Sequence, residues 1–370
     1  MLLVSEPTLG EEEKAALAAV IDSNWITMGS RVQAFEQAFA DEHRVAEAVA
    51  VNSCTAGLHL AVDALGIGPG DEVLVPSLTF VATANAVLYT GAKPVFVDIE
   101  GLSQPLMSLA DAADKCTSKT KAVIVMHYAG QLVDREAWRD FADARGVILI
   151  EDSAHAVGNA RGPIFGDMAV FSFYGNKNMT TAEGGMITSN DPQLLNRVRL
   201  ARGHGLTTST LQRLIARAAT YDVAMLGFNY RMNELSAAIG LVQLGKLAAW
   251  NEKRRSLART YAGALRECCP QVVLPFSENQ LSCHHILPVV LPVHAGRERV
   301  MEDLRAAEIQ TTFHYPPVHL LSLYRERFPG IHLPQTEEFA ARELTLPLHP
   351  KMDELQAIHV ARTLAQILAC

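Results

Sequence analysis

The chain has 370 residues, 32 basic and 40 acidic side chains and a formal charge of −8, enough length for two domains and a large core. A negative balance of this size argues against nucleic acid or an anionic membrane as partner. The six cysteines have no metal-ligand spacing, with Cys268 and Cys269 adjacent and the rest scattered, so they read as reduced thiols of a cytoplasmic protein.

The start, Met1-Leu-Leu-Val-Ser-Glu-Pro7, lacks a basic n-region and runs quickly into Glu11 to Glu13, which excludes a signal peptide there. No run approaches the ~18 apolar residues that a membrane-spanning helix needs. Helical patterning covers Glu11 to Ser23, Arg31 to Asp41 and Thr55 to Leu65. Short apolar runs follow at Ala48 to Val51, Glu72 to Val75, Pro94 to Val97, Ala122 to Val125, Val147 to Ile150, Ala169 to Phe173 and Met186 to Ile187. Such runs alternating with helices predict an α/β domain, a mainly parallel seven-stranded sheet between helices. Residues 200–222 read as a loop, and a helix over Asn233 to Trp250 closes this large domain, taken as 1–250. A smaller α+β domain, 251–370, follows, with a strand over His285 to Val293, a helix over Arg297 to Ala307, a strand over Ile309 to Phe313 and a terminal helix over Asp353 to Leu368.

The chemistry concentrates at two strand ends. Lys177 follows the apolar strand closing on Phe171-Ser-Phe-Tyr-Gly-Asn-Lys177, and Asp152 follows Val147 to Ile150. Ligands of parallel sheets bind beyond the carboxyl ends of strands. A lysine amine and a carboxylate so placed match what pyridoxal 5'-phosphate requires: a Schiff base to its aldehyde, and an anion holding the pyridine nitrogen protonated. Lys177 alone would read as a solvated loop lysine, and Asp152 alone as a helix cap. Val49 to Gly57 is a strand entering a helix, whose free N–H groups suit a phosphate.

The motifs E-D-S-A-H-A-V-G, F-S-F-Y-G-N-K-N with A-E-G-G, and G-F-N-Y-R-M-N-E-L-S-A-A resemble those of the DegT/DnrJ/StrS sugar aminotransferases, fold-type-I pyridoxal phosphate enzymes. The likeness runs from Trp25-Ile-Thr27-x-Gly29 to Leu346-Pro-Leu348. H-Y-A-G at Tyr128, A-E-G-G at Glu183 and Y-R-E-R-F-P at Tyr324 bring it nearest to the 4-amino-sugar branch, such as the UDP-4-amino-4-deoxy-arabinose aminotransferases.

The resemblance implies a set of roles. Lys177 and Asp152 are catalytic. Cys54, Thr55, Phe80, His155, Ser172 and Asn229 join them around the cofactor, with Asn229 reaching the neighbouring subunit's phosphate in a homodimer with shared sites. Cys54 departs from the family's usual glycine. His155 is expected to donate a hydrogen bond to Asp152, and Phe80 to stack on the pyridine, with ordinary core the alternative for Phe80 and helix capping for Thr55. Trp25, Thr27 and Gly29 are expected near the sugar ring, and Arg231, His314 and His319 at the nucleotide phosphates; Tyr315 to His319 reads equally as a rigid turn. The implied reaction takes an amine from glutamate to a keto sugar nucleotide. Rival readings are a keto-cyclitol or 3-keto sugar as acceptor, and a cofactor-binding regulator without catalysis. No H-E-x-x-H, paired C-x-x-C, G-x-G-x-x-G, G-x-S-x-G or P-loop occurs, so no metal is expected. The presence of Lys177 argues against the family's dehydratases, in which histidine replaces it.

Overall fold

The computed structural model describes residues 1–158, 165–208, 220–276 and 282–369. In chain order the elements are α1 (Glu11–Asp22), α2 (Ser30–His43), β1 (Glu47–Val51), α3 (Cys54–Ala64), β2 (Glu72–Pro76), α4 (Ala82–Tyr89) and β3 (Lys93–Val97). Then come β4 (Ile99–Gly101), β5 (Gln104–Met107), α5 (Leu109–Lys115), β6 (Thr120–Met126), α6 (Arg135–Arg145), β7 (Ile148–Asp152), β8 (Met168–Ser172), β9 (Gly185–Ser189) and α7 (Pro192–Arg202). The remainder is α8 (Glu234–Cys268), β10 (Leu287–Val290), α9 (Arg297–Ala306), α10 (Ser322–Arg327), α11 (Pro334–Arg342), β11 (Glu343–Leu346) and α12 (Glu354–Ala369).

The seven apolar runs form one seven-stranded sheet in the order β1-β9-β8-β7-β6-β2-β3. Its pairs are parallel except β1–β9 and β8–β9, so only β9 runs against the rest. The register sets Asp152 opposite Met126, and places Gly185 opposite both Val51 and Ser172. The carboxyl ends of β1, β7 and β8 therefore share one edge with the amino end of β9, and the site is built along that edge. Strands β8 and β9 are buried throughout, as expected where helices cover both faces. On one side α3 lies close because its residues are small: a Cβ on Gly57 would come within 2.6 Å of Val170 Cγ1.

Helix α8 runs past the expected end at Trp250 to Cys268, because Asn251 to Cys268 contains no proline and Pro270 follows directly. Its later turns supply Leu257, Tyr261 and Leu265 to a core shared with β10, β11, α9 and α12. The strand expected over His285 to Val293 shortens to Leu287–Val290, with Pro292 unable to extend its ladder. Ile309 to Phe313 makes isolated bridges, Ile309 to Leu2 and Thr312 to Thr345, instead of a strand. Of the loop read over 200–222, residues 200–202 finish α7, and residues 209–219 lie outside the described ones. No helix among the described residues is long and apolar enough to cross a membrane.

Candidate active site

Asp152 ends β7 with its carboxylate buried. Thr83, in the first turn of α4 after β2, donates from Oγ1 to Asp152 Oδ2 at 2.7 Å, and the Ala154 N–H donates to Oδ1 at 3.2 Å. Thr79 Oγ1 lies 2.7 Å behind Thr83 Oγ1. Burial raises the Asp152 pKa, while the Thr83 and Ala154 bonds, with Lys177 and His127 nearby, pull it back.

Lys177 sits in the turn after β8, its N–H donating to the Tyr174 carbonyl at 3.0 Å. Its stem touches the cleft while the amine is enclosed, and burial lowers the pKa to about 8 against the opposing pull of Cys54 and Asp152. An amine near that value is a usable nucleophile and proton carrier at neutral pH. Its hydrogen-bond partner is His285, with Nε2 3.4 Å from Nζ.

The expected bond from His155 to Asp152 is absent. His155 Nδ1 accepts the Ala129 N–H at 3.2 Å, and Nε2 lies 2.9 Å from the Tyr315 hydroxyl. With Nδ1 an acceptor, the ring proton belongs on Nε2, directed at Tyr315. Asp152 is served by Thr83 instead. His155 still lines the centre, 4.3 Å from the His285 ring, and burial holds its pKa well below the usual value.

Helix α3 begins at Cys54 and is capped by Ser53, whose Oγ accepts the Ala56 N–H at 3.1 Å. Capping is thus Ser53's role, and Thr55 lines a cavity with Asn52, Ser53, His59, Tyr89 and Tyr230 that Lys177 does not line. A Cβ on Gly185 would stand 2.7 Å from the Cys54 nitrogen, so only glycine lets β9 approach this helix start. The Cys54 thiol is enclosed near Asp152 and Lys177, and burial raises its pKa. Ser172 is buried at the end of β8, its Oγ 3.4 Å from the Tyr174 nitrogen. Phe80 is 56% exposed, its ring 6.0 Å from Tyr315, which rules out ordinary core.

The expected substrate residues separate. Thr27, Gly29 and Arg231 line one cavity of about 430 Å³ together with Arg199 and Arg202, and Lys177 does not line it. Glu234 ties this wall down by accepting the N–H groups of Gly29 (2.9 Å), Arg31 (3.0 Å) and Val32 (2.9 Å), a carboxylate at the start of α2. Arg202 pairs with Glu36 and Arg199 with Glu47, whereas Arg231 has no ion-pair partner among the described residues. Trp25 packs over Gly29, with its indole Nε1 buried and unpartnered. Asn229 is exposed, its carbonyl accepting from Asn52 Nδ2 at 3.4 Å.

His319 is not free to meet a phosphate. Its ring is buried, with Nδ1 2.7 Å from Ser77 Oγ and Nε2 3.1 Å from Glu337, so it is not the solvated histidine of a turn either. His314 lies in the Lys177 cluster: Nδ1 is 2.8 Å from Thr345 Oγ1, and burial, then the lysine charge, lowers its pKa to about 4. Sequence reasoning missed Thr83, Tyr315, Asn178 and His285. Thr83 was traceable from its place just beyond a strand end, and His285 from the His284-His285 pair preceding an apolar run.

No group of histidine, cysteine or acidic side chains suited to a metal is found among the described residues. The enclosed amine and the buried carboxylate, with Cys54 at the start of α3 near both, suit the chemistry of pyridoxal phosphate: a nucleophile for its aldehyde and an anion for its ring nitrogen. The aminotransferase PseC of Helicobacter pylori, involved in pseudoaminic acid biosynthesis, superposes with a TM-score of 0.92 at 28% identity, covering 100% of this chain and 99% of that one. The aminotransferase TlmJ of Streptoalloteichus hindustanus gives 0.92 at 34% identity, with coverage of 100% and 99%. DesI, solved in the presence of its TDP-sugar product, gives 0.87 at 31% identity, with 99% and 92%. The DegT/DnrJ/EryC1/StrS aminotransferase family model matches residues 7–365, and the chain belongs to that family of pyridoxal phosphate-dependent enzymes.

Proposed function

We propose that the protein moves an amino group from glutamate to the keto carbon of a nucleotide-linked sugar, at C4 of a 4-keto-6-deoxy sugar or 4-keto pentose. The observation that carries this is the pairing of an enclosed, weakly basic Lys177 with a buried, hydrogen-bonded Asp152 across one sheet edge. The bound cofactor supplies an aldehyde to carry the amine and a ring to accept electrons. Lys177 would hold the cofactor and, once freed, carry a proton at the substrate carbon with Nζ. Asp152, to which Thr83 and the Ala154 N–H donate, would face the ring nitrogen. The Cys54 and Thr55 N–H groups and Ser172 would hold the phosphate, and Phe80 would cover the ring face.

Arg231, without a carboxylate partner, is suited to the diphosphate of a sugar nucleotide, and Thr27, Gly29 and Trp25 to the sugar. Because that cavity excludes the chain's own Lys177, we assign it to the site of a second copy. Exposed Asn229 and the half-exposed Leu235, Ile239, Leu241, Val242 and Leu244 along α8 support such a homodimer. A cytoplasmic location accords with the absence of paired cysteines among those described. DesI, solved in the presence of its TDP-sugar product, supports a nucleotide sugar over a keto-cyclitol as acceptor.

Borohydride treatment of the cofactor-loaded protein should fix the cofactor to the peptide containing residue 177. Incubation with glutamate and a panel of keto-sugar nucleotides should yield 2-oxoglutarate and one amino sugar. Label on another peptide, or no turnover with any member of the panel, would overturn the reading.

A further inference from the structure

His285 lies just before β10, 5% exposed, and no motif of the site includes it. Its orientation is fixed from behind. Asn178 Nδ2 donates to Asn251 Oδ1 and to the Cys283 carbonyl, both at 2.8 Å, which turns the Asn178 Oδ1 toward His285 Nδ1 at 3.0 Å. An amide oxygen only accepts, so Nδ1 carries the ring proton and Nε2 presents a lone pair. That lone pair faces Lys177 Nζ at 3.4 Å.

We propose that His285 is a positioning residue for Lys177, accepting a hydrogen bond from the free amine so that the nitrogen's own lone pair is left directed into the cleft. This rests on the aminotransferase reading, in which that amine is the reacting group. The choice of side chain has a physical reason. A carboxylate here would hold the lysine as a paired ammonium with no lone pair to offer, whereas a neutral imidazole orients the amine without trapping its proton. Burial first, then the facing groups Lys177, His314 and Arg254, oppose a charge on the imidazole, and Arg254 presents a buried Nε and Nη1 that have no hydrogen-bond partner among the described residues. His155 packs against its ring; Asp152 and Cys54 face the amine from β7 and α3.

The test uses the protein stripped of cofactor. Two quantities are measured by stopped flow and equilibrium titration: the rate at which Lys177 captures pyridoxal phosphate covalently, with loss of water, and the affinity for pyridoxamine phosphate, which cannot bond to lysine. His285→Phe should slow capture by about 10- to 100-fold, the cost of a misaimed nucleophile, with pyridoxamine phosphate affinity unchanged. His285→Gln, able to donate to Asn178 and accept from Lys177, should restore capture to within about threefold, a small remainder of that alignment effect. His285→Glu should move the pH midpoint of Lys177 acylation, read by mass spectrometry against the other lysines, above that of the wild type, because a carboxylate there favours the ammonium. Wild-type capture rates in His285→Phe, equal loss of both quantities in His285→Phe and His285→Gln, or an unmoved midpoint in His285→Glu would overturn the assignment. Failure of the wild-type protein to capture the cofactor at residue 177 would instead sink the underlying reading, and this inference with it.

Discussion

Replacing Thr83 by valine removes one hydroxyl while keeping the shape of the side chain, and it tests what keeps Asp152 ionised. Thr83 donates to Asp152 Oδ2 at 2.7 Å inside a buried pocket, and the other donor, the Ala154 N–H, is longer at 3.2 Å. Burial already pushes this carboxyl toward its neutral form. A hydrogen bond to a charged acceptor contributes about 1.5–3 kcal/mol. A tenfold change in an equilibrium corresponds to about 1.4 kcal/mol. The variant should therefore bind pyridoxal phosphate about 10- to 100-fold more weakly, because the ring nitrogen gains its proton only opposite an anion. Thr83→Ser, which keeps the donor, should bind within about threefold of wild type, the spread expected of contact energies in one setting. Thr83→Val added to Asp152→Ala should cost nothing further, since the two residues act as a unit. The assay is equilibrium titration of cofactor-free protein at fixed pH. Wild-type affinity in Thr83→Val, or full additivity in the double variant, would refute the reasoning.

Other perturbations probe separate parts of the same edge. Lys177→Ala should abolish turnover and leave no cofactor on peptide 177 after borohydride; full steady-state amination by this variant would contradict its role. Gly185→Ala should lower the thermal midpoint and weaken cofactor binding, because the new methyl meets the Ser53–Cys54 backbone at 2.7 Å and overpacking costs about 1–3 kcal/mol; an unchanged midpoint would show that α3 can shift freely. Glu343 is buried and its pKa is raised to about 8 from 4.5. The folded state then keeps a proton that the unfolded chain loses, so stability falls as pH rises from about 4.5 to about 8, the reverse of a salt-bridged carboxylate. Glu343→Gln should flatten that part of the thermal-midpoint profile, and a variant profile parallel to wild type would dismiss the effect.

Much of this architecture was readable because its signals are local. Each of the seven sheet strands announced itself as a short apolar run, and Lys177 and Asp152 are named by the strand ends they accompany, while Ser172 came from the resemblance alone. What escaped was whatever depends on pieces distant in the chain meeting in space. Thr83 meets Asp152 across 69 residues, His285 meets Lys177 across 108, and Tyr315 meets His155 across 160. No periodicity encodes such pairings; they follow from strand order and from the C-terminal part folding back over the sheet edge. Two histidine partners differ from expectation for one reason. The His155 bond to Asp152 came from the resemblance and the His319 phosphate contact from its charge, yet both ring nitrogens of each are committed to other side chains or to backbone.

The second layer also explains why the centre can be so poor in anions. Around Lys177 stand three histidines, at 155, 285 and 314, all with pKa values pushed down by burial and by the lysine itself. Arg254 is 3% exposed, with two of its nitrogens lacking a hydrogen-bond partner among the described residues. Among those residues Asp152 is the carboxylate whose charge acts on the amine. A site left short of negative charge in a chain of net charge −8 is destabilised until anions enter it, because buried positive charge lacks both water and a counter-ion. Every reactant proposed for this enzyme carries them: a phosphate on the cofactor, carboxylates on the donor and a diphosphate on the sugar nucleotide. The cost of burying Lys177 and Arg254 with few anions beside them in the free protein is offset when anionic ligands arrive, and the neutral imidazoles place no carboxylate against the lysine before they do.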